Sequence, residues 1–270
     1  GVRATELVFT SGGTEANRLA VEGAFEGSVC PGAPHAIASG IEHPSVLEVI
    51  VGLASRSASG RQVELTLVPA SLDGRVSVPA IQAALRPSTR LVSLQHANSE
   101  TGVIQPVEEL ARLLEERYGG GVNSSRPLLL VDAVQSLGKI PVRPAGMGAD
   151  LVSISSHKIG GPKGAGALWV RPGRGFVPPV AGGPQERRMR PGTENVPGIL
   201  GFVRGAELAI ASVEGGSGGG LEQGDHLRKL LVERVEGAVP NGGPKHVLQN
   251  TVNVSFHGVS AELLVIRLDL

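Results

Sequence analysis

The fold is decided by one stretch of the sequence, which reads DLVSISSHKIGGPKG at residues 150–164. It begins as an apolar run that is short enough for a buried strand, and it breaks into a turn rich in glycine and proline. In an extended backbone successive side chains alternate, so we expect Ser155 and His157 to point one way and Lys158 the other. The stretch therefore predicts a buried strand that ends in hydroxyl, imidazole and amine groups.

Lys158 is the residue of this stretch with the clearest chemical use. An amine at the end of a buried strand, flanked by hydroxyls and an imidazole, suggests a lysine that forms a Schiff base beside a phosphate site. Lysine suits that role because its pKa falls readily when it is desolvated, which leaves a nucleophilic amine. A solvated lysine in a strand-end loop is the more common explanation of one such residue, so the remaining sequence has to decide.

Apolar runs and helical patterns alternate along the whole chain. Strands are predicted at 7–10, 35–39, 63–68, 91–94, 128–131, 151–154, 166–170 and 251–256. Helices are predicted at 14–26, 44–56, 79–86, from 106 to about 117, and at 196–212, 221–236 and 261–270. This alternation predicts an α/β domain with a mainly parallel, mixed sheet flanked by helices. Its ligand crevice should lie at the carboxyl ends of the strands.

The composition argues against several classes of protein. The 270 residues are 41% hydrophobic and 19% charged, which is typical of a globular, soluble chain. Lysine plus arginine equals aspartate plus glutamate at 25 each, so no basic surface indicates a nucleic acid or an anionic membrane as partner. No apolar run approaches the roughly 18 residues of a membrane span, and we expect no membrane partner.

The cysteine content favours a reducing compartment. Cys30 is the single cysteine, which excludes an internal disulfide and a multi-cysteine metal site, so we expect no metal. We therefore expect a cytoplasmic protein. The sequence opens at Gly1 without an initiator methionine, and a missing targeting segment would also allow a mitochondrial location.

Polar residues follow the predicted strands at six places, and each of them alone has an ordinary structural explanation. A glycine turn is most often a tight connection, and a histidine at a strand–helix junction is most often structural. The six features are Gly13 with Thr14, His43, Asn98, Asp132 with Gln135, Ser155 with His157, and Lys158. Together they match pyridoxal phosphate chemistry, which needs a lysine amine, an acid beside the ring nitrogen and a hydroxyl-rich cradle with helix N–H groups for the phosphate.

The motifs that carry these residues resemble the cysteine desulfurase and selenocysteine lyase group of class V aminotransferase-like, fold-type-I pyridoxal phosphate enzymes. The likeness runs over essentially all 270 residues. The motifs are TSGGTEAN at 10–17, EH at 42–43, NSETG at 98–102, VDAVQS at 131–136, SSHK at 155–158 and RPGTEN at 190–195.

The resemblance implies a role for each candidate site residue. Lys158 resembles the lysine that forms the Schiff base with the cofactor, and Asp132 resembles the partner of its pyridinium nitrogen. His43 resembles the imidazole stacked on the ring face, and Gln135 resembles the donor to the phenolic oxygen. The phosphate cradle is implied at Gly13, Thr14, Ser155 and His157, and Thr193 resembles a threonine that reaches the phosphate of the neighbouring subunit in a homodimer.

The resemblance also implies an activity. Enzymes of this group remove sulfur from L-cysteine, leave L-alanine and pass the sulfur through an enzyme persulfide to an acceptor protein. Their relatives release selenium from L-selenocysteine to a selenium acceptor. Lys158 would take the α-proton of the substrate, and His43 would be the proton carrier. The alternatives are a class V aminotransferase, a C–S lyase or a non-catalytic truncated isoform, and the RPGTEN motif favours the desulfurase branch.

The sequence departs from the family pattern at three places. Where the family usually has two asparagines this chain has Asn98 and then Ser99, and the second of the pair normally touches the cofactor. The N-terminal segment of the family, its cysteine-bearing loop and the arginine that holds the substrate carboxylate have no counterpart in these residues, and Cys30 does not match that cysteine. We therefore expect a cofactor-binding large domain at 1–205, an incomplete small α+β domain at 206–270, and little desulfurase turnover.

Overall fold

A computed structural model describes residues 2–26, 32–55, 62–119, 125–215, 222–243 and 245–269. Cys30 and the loop that was predicted around it lie outside these residues.

The centre of the fold is a seven-stranded sheet with the order β1-β7-β6-β5-β4-β2-β3. Neighbouring strands from β3 to β6 are parallel, and β7 runs antiparallel to both β6 and β1. The prediction of a mainly parallel, mixed sheet is therefore confirmed. The strands are β1 Leu7–Thr10, β2 His35–Ser39, β3 Glu64–Val68, β4 Thr89–Ser93, β5 Leu128–Asp132, β6 Leu151–Ser155 and β7 Gly166–Val170.

Helices cover both faces of this sheet, because successive residues of a strand point to opposite sides. In β5, Leu129 and Val131 pack into one apolar core with α3 and α4, while Leu128 and Leu130 pack into a second core with α1 and α2. The helices are α1 Gly13–Phe25, α2 Pro44–Ser55, α3 Val78–Ala84, α4 Val107–Tyr118, α5 Val196–Glu214, α6 Glu222–Arg234 and α7 Ala261–Leu268. This three-layer arrangement leaves the strand ends open for a site.

The backbone changes direction directly after β6. Residues Ser156–Ile159 form a 3-10 turn, which ends at Gly160 in the left-handed conformation with φ 79°. The strand alternation that we predicted through residue 158 is therefore wrong beyond Ser155. Because the turn rotates the chain, His157 and Lys158 are both exposed at the end of the sheet instead of lying on opposite faces.

The part of the chain after the sheet is built on the long helix α5. Its glycines allow close packing on the turn after Lys158: a Cβ at Gly201 would lie 2.9 Å from Pro162 Cγ, and one at Gly205 would lie 3.3 Å from the backbone of Gly161. α6, α7 and an antiparallel pair, β8 Ala238–Pro240 with β9 Val254–Phe256, follow it. α5 runs across residue 205, so the domain boundary predicted there stays a prediction.

Helix α5 is also long and apolar enough, by length and composition alone, to cross a membrane. By this criterion our expectation that no segment reaches that length is wrong. Only Gly198 and Phe202 of the helix are buried. The remaining apolar side chains of α5 are largely exposed, among them Val196, Leu200 and Leu208.

Candidate active site

The carboxyl ends of the parallel strands open onto a cavity of about 610 Å³. This volume lies in the range of small-molecule sites, roughly 300–1,000 Å³. An amine, an imidazole and a buried carboxylate therefore meet in one cavity, although their roles stay predictions. Seven of the ten residues predicted for the site line it, namely Gly13, Thr14, His43, Asp132, Gln135, His157 and Lys158.

One end of the cavity is formed by the turn between β1 and α1. Gly12, Gly13 and Thr14 line the cavity there, and the first N–H groups of a helix have no acceptor within it. A Cβ at Gly13 would lie 2.7 Å from Val134 Cγ2 and 3.4 Å from Ser155 Cβ, so a larger residue would push this turn away. Unpaired N–H groups and the positive end of the helix dipole make this end suitable for an anion.

A bidentate ion pair holds the same turn from outside. Arg190 Nε lies 2.8 Å from Glu15 Oε1, and Arg190 Nη2 lies 3.2 Å from Glu15 Oε2. Glu15 Oε2 also accepts the backbone N–H of Ser11 at 2.5 Å. Burial pushes the pKa of Glu15 upward, but the bonds from Arg190 and Ser11 outweigh it and leave the pKa below its usual value. Arg190 therefore holds the anion-binding turn in place from outside the cavity.

Asp132 is the buried acid of the cavity. Its Oδ1 accepts the backbone N–H of Val134 at 2.9 Å, and its Oδ2 accepts Asn17 Nδ2 at 2.7 Å. Burial raises the pKa of Asp132, while these two bonds and the nearby His43 oppose that rise. A carboxylate that is held this firmly is suited to pair with a cationic ring nitrogen.

Gln135 presents a donor to the cavity because a lysine engages its oxygen. Lys139 Nζ donates to Gln135 Oε1 at 3.0 Å. The amide nitrogen of Gln135 is therefore the group left for a ligand oxygen. Burial lowers the pKa of Lys139, and the charge of Lys158 lowers it further.

Lys158 shares its side of the cavity with a second lysine. Lys158 and Lys163 both line the cavity, and Ser155 Oγ lies 2.9 Å from His157 Nδ1. Burial lowers the pKa of His157, and the charges of Lys158 and Lys163 lower it further. The geometry leaves two candidate amines, and only the resemblance of the SSHK motif favours Lys158.

Three of the predicted residues do not line this cavity. Ser155 is buried behind it. The Asn98 side-chain oxygen accepts the N–H groups of Glu100 and Thr101 at 3.0 and 2.9 Å, so this side chain shapes its own loop while Ser99 lines the cavity. Thr193 lines a neighbouring cavity of about 250 Å³, which shares two lining residues with the first.

Three side chains that bond to predicted residues of the cavity were not themselves predicted from the sequence. They are Asn17, Ser45 and Lys139, which bond to Asp132, His43 and Gln135 respectively. Asn17 belonged to the quoted TSGGTEAN motif, and Ser45 follows the proline that begins α2. Both positions had a signal in the sequence, but no pattern indicated the partner of either side chain.

The residues of the cavity fit pyridoxal phosphate. Lys158 supplies an amine, Asp132 a buried carboxylate for the ring nitrogen and Gln135 an amide donor for the phenolic oxygen. A Cβ at Gly13 would lie 2.7 Å from Val134 Cγ2, so Val134 or the turn would have to move, and such a closely packed turn at a helix N-terminus suits a phosphate. The fit extends to the size of the cavity, about 610 Å³.

Comparison with known proteins identifies relatives along the whole chain. The chain is 38% identical over 270 residues to the cysteine desulfurase IscS of Dictyoglomus turgidum, covering 100% of this chain and 65% of that protein. It is similar to the solved structure of a NifS-like protein, with 34% identity, a TM-score of 0.85 and coverage of 100% of this chain and 70% of that one. The structure of SspA in complex with cysteine shows 32% identity, a TM-score of 0.77 and coverage of 100% and 70%.

The chain thus spans 65% of the length of the Dictyoglomus relative. The family description that matches it is Aminotransferase class-V, and the match runs from residue 1 to residue 269. Because that match takes in every strand of the sheet and every residue of the cavity, the chain belongs to the aminotransferase class-V family.

Proposed function

We propose that this chain is the cofactor-binding part of a pyridoxal phosphate-dependent cysteine desulfurase, which takes sulfur from L-cysteine and leaves L-alanine. The observation that carries the proposal is the cavity that joins the Lys158 amine, the Asp132 carboxylate and the N-terminus of α1. Relatives at about 40% identity are named cysteine desulfurases, and one similar solved structure is described as a complex with cysteine.

The residues of the chain divide the work of holding the cofactor. When it is bound, pyridoxal phosphate supplies an aldehyde for amines and a ring that withdraws electrons from the substrate. Lys158 would hold the aldehyde end and take up the α-proton at Nζ, and Asp132 would keep a proton on the ring nitrogen. The turn at Gly13 and Thr14 would hold the phosphate, which fixes the orientation of the whole group.

The substrate would enter between His43 and Lys158, which lie on the wall of the same cavity. Sulfur transfer in this reaction class needs a cysteine thiolate as nucleophile. The resemblance does not assign Cys30 to that role, so we expect cofactor binding by this chain without sustained sulfur release. The sulfur would pass to an acceptor protein.

The proposal includes a homodimer and a cytoplasmic location. Thr193 lies outside the main cavity, and the resemblance gives it to the phosphate of a neighbouring subunit, which supports a dimer with shared sites. The single cysteine supports a reducing compartment.

The test compares two lysine variants of the purified chain. After loading with pyridoxal phosphate and reduction with borohydride, mass spectrometry should find the cofactor attached to the peptide of Lys158. Lys158→Ala should abolish that attachment, whereas Lys163→Ala, the matched control from the same cavity wall, should retain it. Attachment that persists in Lys158→Ala and disappears in Lys163→Ala would show that the lysine is wrongly assigned.

A second measurement tests the substrate. L-Cysteine and L-selenocysteine are added separately to the loaded chain, and sulfide, selenide and alanine are measured. We expect the visible spectrum of the bound cofactor to change with L-cysteine, with negligible sulfide release. Sustained release at the rate of a full-length relative would refute the need for a cysteine nucleophile other than Cys30. A response to selenocysteine alone would refute the cysteine substrate.

A further inference from the structure

His43 of the cavity wall is also the N-terminal cap of helix α2. Its carbonyl oxygen accepts the N–H of Val46 at 2.9 Å, and its ring Nδ1 accepts the N–H of Ser45 at 3.1 Å. The first N–H groups of a helix lack partners within it, so an acceptor on the capping side chain stabilises the helix start. The start of α2 thereby fixes the imidazole that faces the cavity.

The backbone N–H of Ser45 also decides which ring nitrogen carries the proton. A backbone N–H can only donate, so Nδ1 of His43 must offer its lone pair while this contact holds. A neutral imidazole has one N–H group, which is then at Nε2. Nε2 makes no hydrogen bond to any residue that the structure describes, so it is the nitrogen left for a ligand.

The hydroxyl of Ser45 adds a second donor to the same nitrogen. Ser45 Oγ lies 2.7 Å from His43 Nδ1 and 2.9 Å from Asn17 Nδ2. Asn17 Nδ2 also donates to Asp132 Oδ2 at 2.7 Å, and turning this amide over would place its oxygen against the carboxylate. Because Asn17 donates to Ser45 Oγ, the hydroxyl hydrogen of Ser45 is directed to Nδ1. A chain of hydrogen bonds therefore runs from Asp132 to His43.

We propose that Asn17 and Ser45 are positioning residues that hold His43 as the Nε2–H tautomer and couple its ring to Asp132. His43 then meets a ligand as a hydrogen-bond donor. One consequence rests on the proposed function: in this tautomer Nε2 has no lone pair to take a thiol proton, so His43 would act on the substrate sulfur as a hydrogen-bond donor through Nε2–H. The tautomer itself is a property of the chain without cofactor.

The test is NMR of the ligand-free chain labelled with ¹⁵N at histidine, at about pH 8.5, where an ordinary imidazole is neutral. Couplings between the ring nitrogens and the carbon-bound protons distinguish the two tautomers, and the His43 signals are identified by their loss in His43→Asn. We expect at least a tenfold excess of the Nε2–H tautomer, which is about 1.4 kcal/mol. A ring protonated at Nδ1, or an even mixture, overturns the proposal.

Variants test whether the side chains of the network act on the ring. Ser45→Ala and Asn17→Ala should each move the Nδ1 resonance of His43 toward that of an unbonded ring nitrogen, and Ser45→Thr, which keeps the hydroxyl, should restore it. Ser77→Ala is the matched control, because it removes a capping hydroxyl from α3. An unmoved resonance in Ser45→Ala, or an equal movement in Ser77→Ala, overturns the proposal. Failure of pyridoxal phosphate to bind would refute the proposed function and leave these results standing.

Discussion

Two buried groups near the candidate site should make opposite contributions to the pH dependence of stability. Glu42 is 5% exposed and accepts hydrogen bonds from Ser39 Oγ at 2.5 Å and Gln95 N at 2.8 Å. Burial outweighs these bonds and raises the pKa of Glu42 from 4.5 to about 7. His96 is also 5% exposed, and burial lowers its pKa from 6.5 to about 4.

The signs of the two effects follow from which state binds the proton more tightly. For Glu42 it is the folded state, so its contribution to stability is full below pH 4.5 and is lost as the pH rises through about 7. For His96 it is the unfolded state, so its contribution is full above pH 6.5 and is lost as the pH falls through about 4. Each pKa moves by about 2.5 units at about 1.4 kcal/mol per unit, which gives about 3 kcal/mol for each group. Between pH 4.5 and 6.5 one contribution falls with pH while the other rises, so their sum stays nearly constant in the unmodified chain.

Substitution of either group should therefore reveal the pH dependence of stability that the other group causes. Glu42→Gln keeps an oxygen for the Gln95 N–H, and His96→Asn keeps a donor for Ser136 Oγ, which lies 2.8 Å from His96 Nδ1. Urea unfolding followed by circular dichroism gives the free energy of unfolding at each pH. The free energy of unfolding of Glu42→Gln, relative to that of the unmodified chain, should increase by about 3 kcal/mol as the pH rises from 4.5 to 7. That of His96→Asn should increase by about 3 kcal/mol, on the same scale, as the pH falls from 6.5 to 4. Differences that stay constant with pH would refute the assigned protonation states.

The anion-binding end of the cavity gives three further predictions. Binding is measured by calorimetry, with inorganic phosphate for the two variants and with sulfate for the third prediction, and stability is measured by urea unfolding. Gly13→Ala should weaken phosphate binding by at least about tenfold, or about 1.4 kcal/mol, because the added Cβ would lie 2.7 Å from Val134 Cγ2. Unchanged affinity would contradict the assignment of this turn to the anion. Arg190→Ala removes the ion pair with Glu15, so it should weaken phosphate binding several-fold and lower the free energy of unfolding by about 1 kcal/mol. Equal phosphate affinities of the variant and the unmodified chain would show that the pair does not support the turn. Binding of sulfate, which has no proton equilibrium near pH 6, should take up protons at that pH. Burial and the charges of Lys158 and Lys163 lower the pKa of His157, and a bound anion opposes the effect of those charges. Proton release, measured in buffers of different ionisation enthalpy, would contradict this.

The strands were the most predictable part of the fold. Leu7–Thr10, His35–Ser39 and Gly166–Val170 have the bounds predicted for them, because each is a short apolar run that polar or glycine-rich turns interrupt. The strand Ala238–Pro240 was missed, since three residues ending in proline carry no periodic pattern. The predicted strand at 251–256 is only three residues long in the structure, from Val254 to Phe256.

The location of the site could be predicted from the sequence, but the hydrogen bonds among its side chains could not. Strand-end positions meet at one edge of a parallel sheet, which is why residues as distant as Gly13 and Lys158 line one cavity. The bonds among the side chains were not predictable. Asn17 bonds to Ser45, which is 28 positions away in the sequence, and to Asp132, which is 115 positions away. Hydrophobic periodicity predicts which face of a helix is buried, but it does not predict which side chain on another element will be the bonding partner. The 3-10 turn after β6 was missed because the alternation of side chains along a strand does not indicate the residue at which the strand ends.

The charges around the cavity explain why one end of it suits an anion. Glu15 is paired with Arg190, and Asp132 accepts a hydrogen bond from Asn17. The pKa of His157, already lowered by burial, is lowered further by the positive charge of Lys158, as expected of cations that repel one another across a shared space. The positive end of the α1 dipole adds to the same field. An entering phosphate would relieve each of these repulsions at once, and the side chains that hold it already stand in place. The sheet edge is therefore preorganised for an anionic group before any chemistry takes place.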